Sequence, residues 1–264
     1  MTPGLEPVST ASTAVLLAAG EGTRLHPYTL DRPKCLVEVA GRPLLDRALA
    51  ALEAAGFDEV VIVTGYREDV LQAFLTDRTH RLRVTCVRNP EYARTNNAYS
   101  LWSAREAVPG GFVLLDGDLL FEPAVLTALL ATAGEAALAV ERRADLGEEE
   151  MKVLVGPDVS VAAVNKTMDP GSAIGESIGV ARFSAMAARA LWDCLGAQIE
   201  QGQRNVYYEL AFEELIADGW RFEIGDVTGL ACMEIDTPQD LEAAHGLAQR
   251  IDRAPPSASS STAS

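Results

Sequence analysis

Residues 59–64 read Glu-Val-Val-Ile-Val-Thr, a continuous β-branched run. Such a run is stable as a strand only where both faces of its sheet are covered. Ala14–Ala19 (AVLLAA), which runs into glycine, and Phe112–Leu115 (FVLL) are two further short apolar runs of this kind. The segments between them carry a different period. Leu44, Leu45, Ala48, Leu49 and Leu52 recur at helical spacing behind Pro43, a residue suited to a first helical turn. Residues 67–75 and 97–108 also read as helices, and 82–87 as a strand. The alternation predicts a mostly parallel sheet with helices on both faces.

Beyond Gly134 the spacing shortens. Strands are expected at 136–141, 152–155 and 159–165, the last two joined as a hairpin through Gly156-Pro157-Asp158. A strand at 178–183, helices at 184–195 and 206–217, strands at 221–224 and 231–235 and a helix at 238–250 complete the reading. Residues 1–12 and 253–264 are small, polar and rich in Ser and Pro, so both flanks are expected to be disordered. One domain is expected over 13–252, with a nucleotide-binding part at about 13–133 and an acceptor-binding part at about 134–252.

Acidic residues outnumber basic ones 38 to 22, for a formal charge of −16. That field repels nucleic acid and anionic membranes, so an anionic ligand must be held by a local basic cluster. The four cysteines form no Cys-x-x-Cys pair, and the three histidines complete no zinc spacing. There is no basic, then apolar, leader at the start, and no apolar stretch nears the roughly 18 residues of a membrane span. A cytoplasmic protein, monomer or homodimer, is expected.

The most informative stretch is Leu17–Leu36, LAAGEGTRLHPYTLDRPKCL. A glycine-rich turn after a buried strand exposes backbone N–H groups that can cradle phosphate oxygens. Arg24 and Lys34 bring two positive charges to the same loop of an acidic chain. The turn has neither a Walker Lys-Ser/Thr ending nor dinucleotide Gly-x-Gly-x-x-Gly spacing. A second motif, Leu114-Leu115-Asp116-Gly117-Asp118, ends an expected strand, where ligands bind in open α/β sheets. A third is Glu234-Ile235-Asp236-Thr237-Pro238, in which Asp236 suits either a ligand role or the cap of the last helix.

Gly20-Glu21-Gly22-Thr23-Arg24-Leu25 followed by Pro33-Lys34 resembles the signature of the nucleotidyltransferase superfamily that makes nucleotide sugars and CDP-alcohols. Asn89-Pro90-Glu91-Tyr92 and Thr95-Asn96-Asn97-Ala98-Tyr99-Ser100-Leu101-Trp102 look like the segment of the phosphocholine and phosphonate cytidylyltransferases. The resemblance implies a Rossmann-like three-layer α/β nucleotidyltransferase fold with a small acceptor-binding β subregion. It also implies that Leu17, Ala18, Ala19, Gly20, Glu21, Gly22, Thr23, Thr95, Asn96 and Asp116 surround the nucleotide. Arg24 and Lys34 would then act on phosphates, and Asp118 and Asp236 would hold Mg²⁺. Lys166, Glu176, Tyr208 and Glu209 are the expected acceptor contacts.

The activity so implied is transfer of CMP from CTP to a small phosphonate or phosphorylated alcohol. Tyr207 and Tyr208 beside Glu209 can cage a trimethylammonium group, or pack a helix and accept a hydrogen bond. A phosphonate is favoured over phosphocholine because only one carboxylate directly adjoins the tyrosine pair. The alternatives are a sugar-1-phosphate nucleotidyltransferase using UTP, GTP or dTTP, and a non-catalytic nucleotide-binding regulator.

Overall fold

The structure, a computed structural model, describes residues 12–79 and 81–253; the flanking segments expected to be disordered lie outside those residues, apart from Ser12 and Arg253. The first half contributes strands β1 (Thr13–Ala18), β2 (Glu38–Val39), β3 (Arg42–Pro43), β4 (Glu59–Thr64), β5 (Arg83–Arg88), β6 (Phe112–Asp116) and β7 (Leu119–Phe121). Helices α1 (Leu44–Ala54), α2 (Glu68–Thr76), α3 (Asn97–Ser103) and α4 (Ala124–Leu130) alternate with them. The second half adds β8 (Ala136–Arg142), β9 (Lys152–Val155), β10 (Val161–Asn165), β11 (Gly175–Phe183), α5 (Ala185–Glu200), α6 (Glu209–Ala217), β12 (Phe222–Asp226), β13 (Cys232–Glu234) and α7 (Pro238–Arg253).

Strands β5, β4, β1 and β6 lie side by side in parallel, with the apolar runs of β4, β1 and β6 buried and the part-exposed β5 at the edge. Val60, Val61, Ile62 and Val63 of β4 are wholly buried. Each contributes about 1.5–3 kcal/mol of apolar transfer, an upper figure since unfolded chains are partly compact. Alternate residues serve the two faces. Val15, Leu17, Val61, Val63 and Leu114 pack with α3, α5 and α6, whereas Leu16, Val60, Ile62, Val113 and Leu115 pack with α1, α2 and α4. These are the expected three layers.

From β6 the sheet continues through antiparallel β11, which pairs with β8 and, at Gly175 and Glu176, with β9. Strand β12 runs parallel to β8, and β10 closes the β9 edge. A small antiparallel ribbon, β7 with β13, sets Glu234 opposite Leu119 and brings the Ile235 N–H to within 3.1 Å of the Asp118 carbonyl. Helix α7 seals a third cluster, placing Leu241, Ala244 and Ala248 against Leu25, Val37 and Leu120. The signature loop thus rests on the last helix. No helix of the described residues is long and apolar enough to cross a membrane.

Some boundaries differ from the sequence reading. The expected helix at 97–108 ends at Ser103 and tightens into a short turn at Arg105–Ala107, ahead of Pro109. Strand β10 starts at Val161 rather than 159, because Val159 takes φ 66° in the hairpin turn. Helix α6 starts at Glu209 rather than 206, and β11 starts earlier, at Gly175. Strand β7 and helix α4 are additional to the expected elements.

Candidate active site

Chain order reverses direction at β1, since β4 lies on one side of it and β6 on the other. The crevice beyond the carboxyl ends of such strands is where open α/β sheets hold ligands. Here the loop after β1 and the Asp116–Asp118 segment after β6 line a cavity of about 350 Å³. Gly117 makes that approach possible: its N–H donates to the Leu17 carbonyl at 2.9 Å, and a Cβ there would sit 2.4 Å from the same oxygen. Leu17, Ala18, Ala19, Gly20, Gly22, Thr23, Arg24, Lys34, Thr95, Asn96 and Asp116 all face the cavity. The Glu21 side chain is exposed and does not line the cavity, although its neighbours Gly20 and Gly22 do.

At one end stand three carboxylates, Asp118, Glu234 and Asp236, with one oxygen of each within 4.8 Å of the others. Asp118 Oδ1 is buried with no hydrogen-bond partner. Hard carboxylate oxygens, one of them unsatisfied, fit a divalent cation with oxygen preference. Lys34 Nζ donates to Asp118 Oδ2 at 2.7 Å and also pairs with Asp236. Arg24 Nη2 reaches Asp236 Oδ2 at 2.7 Å, and its Nη1 reaches Glu149 at 3.4 Å. Burial works against the Lys34 charge, but the charges of Asp118 and Asp236 outweigh it and hold the ammonium above its ordinary pKa. Burial, with the charges of Asp118 and Asp236, raises the Glu234 carboxyl to about 8. So dense a negative cluster needs a cation among its oxygens to ionise fully.

Asp236 is not the cap of α7. The Asp240 N–H donates to Thr237 Oγ1 at 3.2 Å while the Thr237 N–H donates to Asp240 Oδ2 at 2.8 Å, a reciprocal capping box. Thr237 caps the helix, and the Asp236 side chain is released to the cavity. Glu234 escaped the sequence reading, although its signal is simple: it stands two residues before Asp236, and residues i and i+2 share a face of an extended chain.

The 89–102 segment is held from within. Buried Asn89 donates to Thr95 Oγ1 (3.1 Å) and Ser100 Oγ (3.0 Å), fixing the loop that faces the cavity. Asn96 caps α3 by accepting from the Asn97 N–H, and Asn97 Oδ1 accepts from the Tyr208 N–H at 2.9 Å. Trp102 packs against the core and carries the Arg105 guanidinium over its ring at 3.7 Å.

A second cavity of about 440 Å³ adjoins the first, sharing Arg24, Asn97, Asp116, Tyr207, Glu234 and Asp236. Lys166, Glu176 and Glu209, three of the residues expected from the sequence to contact an acceptor, line it. Tyr208 does not, and its expected role is corrected: it is 2% exposed, packs on Phe212, and donates from its hydroxyl to Asp116 Oδ2 at 2.9 Å. The tyrosines therefore form no cage, since Tyr207 is exposed while Tyr208 points into the core. Burial, then the neighbouring Asp118 charge, pushes the Asp116 carboxyl well above its ordinary range. A larger cleft, about 860 Å³, lies between residues 27–38 and α7, away from the carboxylate cluster and the glycine-rich turn. Size alone does not make it the reactive site.

A family profile described as a MobA-like NTP transferase domain matches residues 14–210. The chain is 32% identical over 257 residues to a CMP-5'-(3-aminopropyl)phosphonate synthase of Streptomyces rubellomurinus, covering 90% of this chain and 38% of that protein. It is 28% identical over 234 residues to a bifunctional IPC transferase and DIPP synthase of Aquifex aeolicus, covering 88% of this chain and 50% of that one. The chain thus spans half or less of the length of these curated relatives. Among solved structures, the inositol-1-phosphate CTP transferase of T. maritima superposes with a TM-score of 0.77 at 25% identity, covering 92% of this chain and 97% of the other.

Proposed function

This chain belongs to the MobA-like NTP transferase family, and on that premise we propose that it transfers CMP from CTP to a small phosphonate or phosphorylated alcohol with release of pyrophosphate. The observation that carries the reading is the convergence of Lys34 and Arg24 from the glycine-rich loop on the Asp118–Glu234–Asp236 cluster, at the mouth of two adjoining cavities. One cavity suits the nucleotide and the other the acceptor. The names of the phosphonate and inositol-phosphate relatives support the same substrate classes.

In the proposed reaction an acceptor oxygen attacks the α-phosphorus of CTP in line, the P–O bond to the β-phosphate breaks, and pyrophosphate leaves. The attacking oxygen is already anionic, so no side chain need take a proton. Catalysis then rests on positioning and charge neutralisation. Backbone N–H groups of residues 20–23 receive phosphate oxygens. Arg24 and Lys34, tethered to the carboxylates, face the charge that develops on the departing pyrophosphate. Mg²⁺, held by Asp118, Glu234 and Asp236, would supply Lewis-acid neutralisation of the phosphoryl oxygens. Tyr208 and Asn97 act indirectly, fixing Asp116 and the start of α6. A cytoplasmic setting, where CTP is available, belongs to the same proposal.

The test is pyrophosphate release measured with CTP, UTP, GTP and dTTP, each crossed against phosphocholine, inositol phosphate, several phosphonates and glucose 1-phosphate. Release confined to CTP with phosphonates or phosphate esters is the expected result. Preference for another nucleotide with glucose 1-phosphate overturns the reading, as does tight CTP binding with no release.

A further inference from the structure

Three consecutive glutamates, Glu148, Glu149 and Glu150, stand in the loop of residues 143–151 between β8 and β9, at the rim of the second cavity. The middle one bridges two cations from distant parts of the chain. Glu149 Oε2 lies 3.4 Å from Arg24 Nη1, on the signature loop, and 3.6 Å from Lys166 Nζ, just after β10. The bridge is anchored from below. Lys152, 1% exposed, donates from Nζ to the Lys166 carbonyl at 2.7 Å and to the Glu150 carbonyl at 3.3 Å, so one buried ammonium holds the backbone on both sides. The Gly147 N–H donates to Glu150 Oε2 at 2.8 Å and closes the turn that carries Glu149. The Glu149 side chain is by contrast 78% exposed, and Arg24 keeps a separate nitrogen, Nη2, on Asp236 at 2.7 Å. Release of Glu149 would therefore free Arg24 Nη1 and Lys166 Nζ without unseating either residue.

We propose that the Glu149 carboxylate occupies the position of the acceptor's phosphorus group, phosphate or phosphonate, and that the β8–β9 loop must release it for the acceptor to bind. The inference rests on the cytidylyltransferase reading above and concerns the anion of that acceptor. Arg24 lines both cavities and Lys166 only the second, so an oxyanion held by the pair stands where the second cavity opens on the first. That is where the attacking oxygen has to be. The exchange is favourable in charge. A doubly charged group with three oxygens reaches both cations at once, whereas one carboxylate carries a single charge and meets them at 3.4 and 3.6 Å, beyond close contact. A bridge so exposed is screened by water and weak, so it competes with the acceptor without shutting it out. Between turnovers it lies between two positive charges that would otherwise repel.

The test is a titration of methylphosphonate, followed by phosphorus NMR, with the nucleotide cavity filled by the α,β-methylene analogue of CTP. Glu149→Gln should bind methylphosphonate about 2- to 10-fold more tightly than the wild type, the competition expected of two exposed ion pairs. Glu148→Gln removes the same charge one residue away, at an exposed position outside the cavity lining, and should match the wild type. With an acceptor that is turned over, Glu149→Gln should lower its KM by the same factor and leave the KM for CTP nearly unchanged. Unchanged or weaker methylphosphonate binding in Glu149→Gln overturns the inference. An equal gain in Glu148→Gln does the same, since it would mark a general charge effect, and so does a failure of all three proteins to bind the probe. Absence of pyrophosphate release with every nucleotide and acceptor removes the cytidylyltransferase reading instead, and leaves the titration to decide the bridge.

Discussion

Lys34 Nζ donates to Asp118 Oδ2 at 2.7 Å, joining the signature loop to the end of β6 across 84 positions of chain. The same ammonium also pairs with Asp236, so it sits among the oxygens that would hold a divalent cation. On the proposed function a metal ion would share these carboxylates with the lysine, and full engagement of one would weaken the other. Nucleotide binding would then include a change of partner for Lys34, from carboxylates towards phosphates.

Lys34→Met separates the two roles. Removing one preorganised cation lowers kcat by on the order of 10²–10³. Loss of its ion pairs leaves the recessed carboxylates uncompensated, and stability should fall by about 1–3 kcal/mol. Divalent cations should restore part of that loss, and calorimetry without nucleotide should show Mn²⁺ or Mg²⁺ binding more tightly than in the wild type. Weaker metal binding in the variant would mean that lysine and metal do not compete.

Asp236 lines both cavities, whereas Thr237, which lines only the second, caps α7. Thr237→Ala should cost about 1 kcal/mol of stability and leave turnover near normal. Asp236→Asn should keep the fold and abolish most activity. Thermal melts and rates on the two variants check this, and a capped, active Asp236→Asn protein would remove Asp236 from the metal set.

The parallel core was legible because β1, β4 and β6 are apolar without interruption, a pattern few other structures tolerate. The signature loop was legible because its glycines and cations are consecutive. What was hidden depends on pairing far along the chain. Strand β7 has only three residues and is defined by β13, as when Phe121 meets Cys232. Glu234 joins the cluster through that same ribbon. Tyr207 and Tyr208 read as a pair on paper, but the turn into α6 sends one ring to solvent and the other beneath Asp116, a divergence no local periodicity encodes.

Strand β11 shifts register between Ser177 and Ala181, and Gly179 takes φ 71° there. A Cβ at that residue would lie 2.5 Å from Asp116 Oδ2. Gly179→Ala therefore combines backbone strain with a clash on the carboxylate that accepts from Tyr208. A loss of about 1–3 kcal/mol is expected, together with weaker CTP binding as Asp116 is displaced. An alanine variant with normal melting and normal nucleotide affinity would show that the bulge relaxes without moving Asp116.

Glu209 gives a pH dependence of stability with a definite sign. Burial raises its carboxyl from the ordinary 4.5 to about 7. Below pH 4.5 folded and unfolded chains both hold the proton, so the group is neutral towards folding. Between that pH and about 7 the unfolded chain has released its proton while the folded chain retains it, and stability falls as pH rises. Above about 7 both forms are ionised and the cost is constant. The shift corresponds to about 3 kcal/mol, and hence to a difference in melting temperature on the order of 5–10 °C for a chain of this size. Glu209→Gln removes the titration, so the variant should melt with the wild type near pH 4.5 and above it at pH 8. Melting curves across that range decide the matter: a difference that does not change with pH would mean that Glu209 is ionised throughout, with a partner in the folded state.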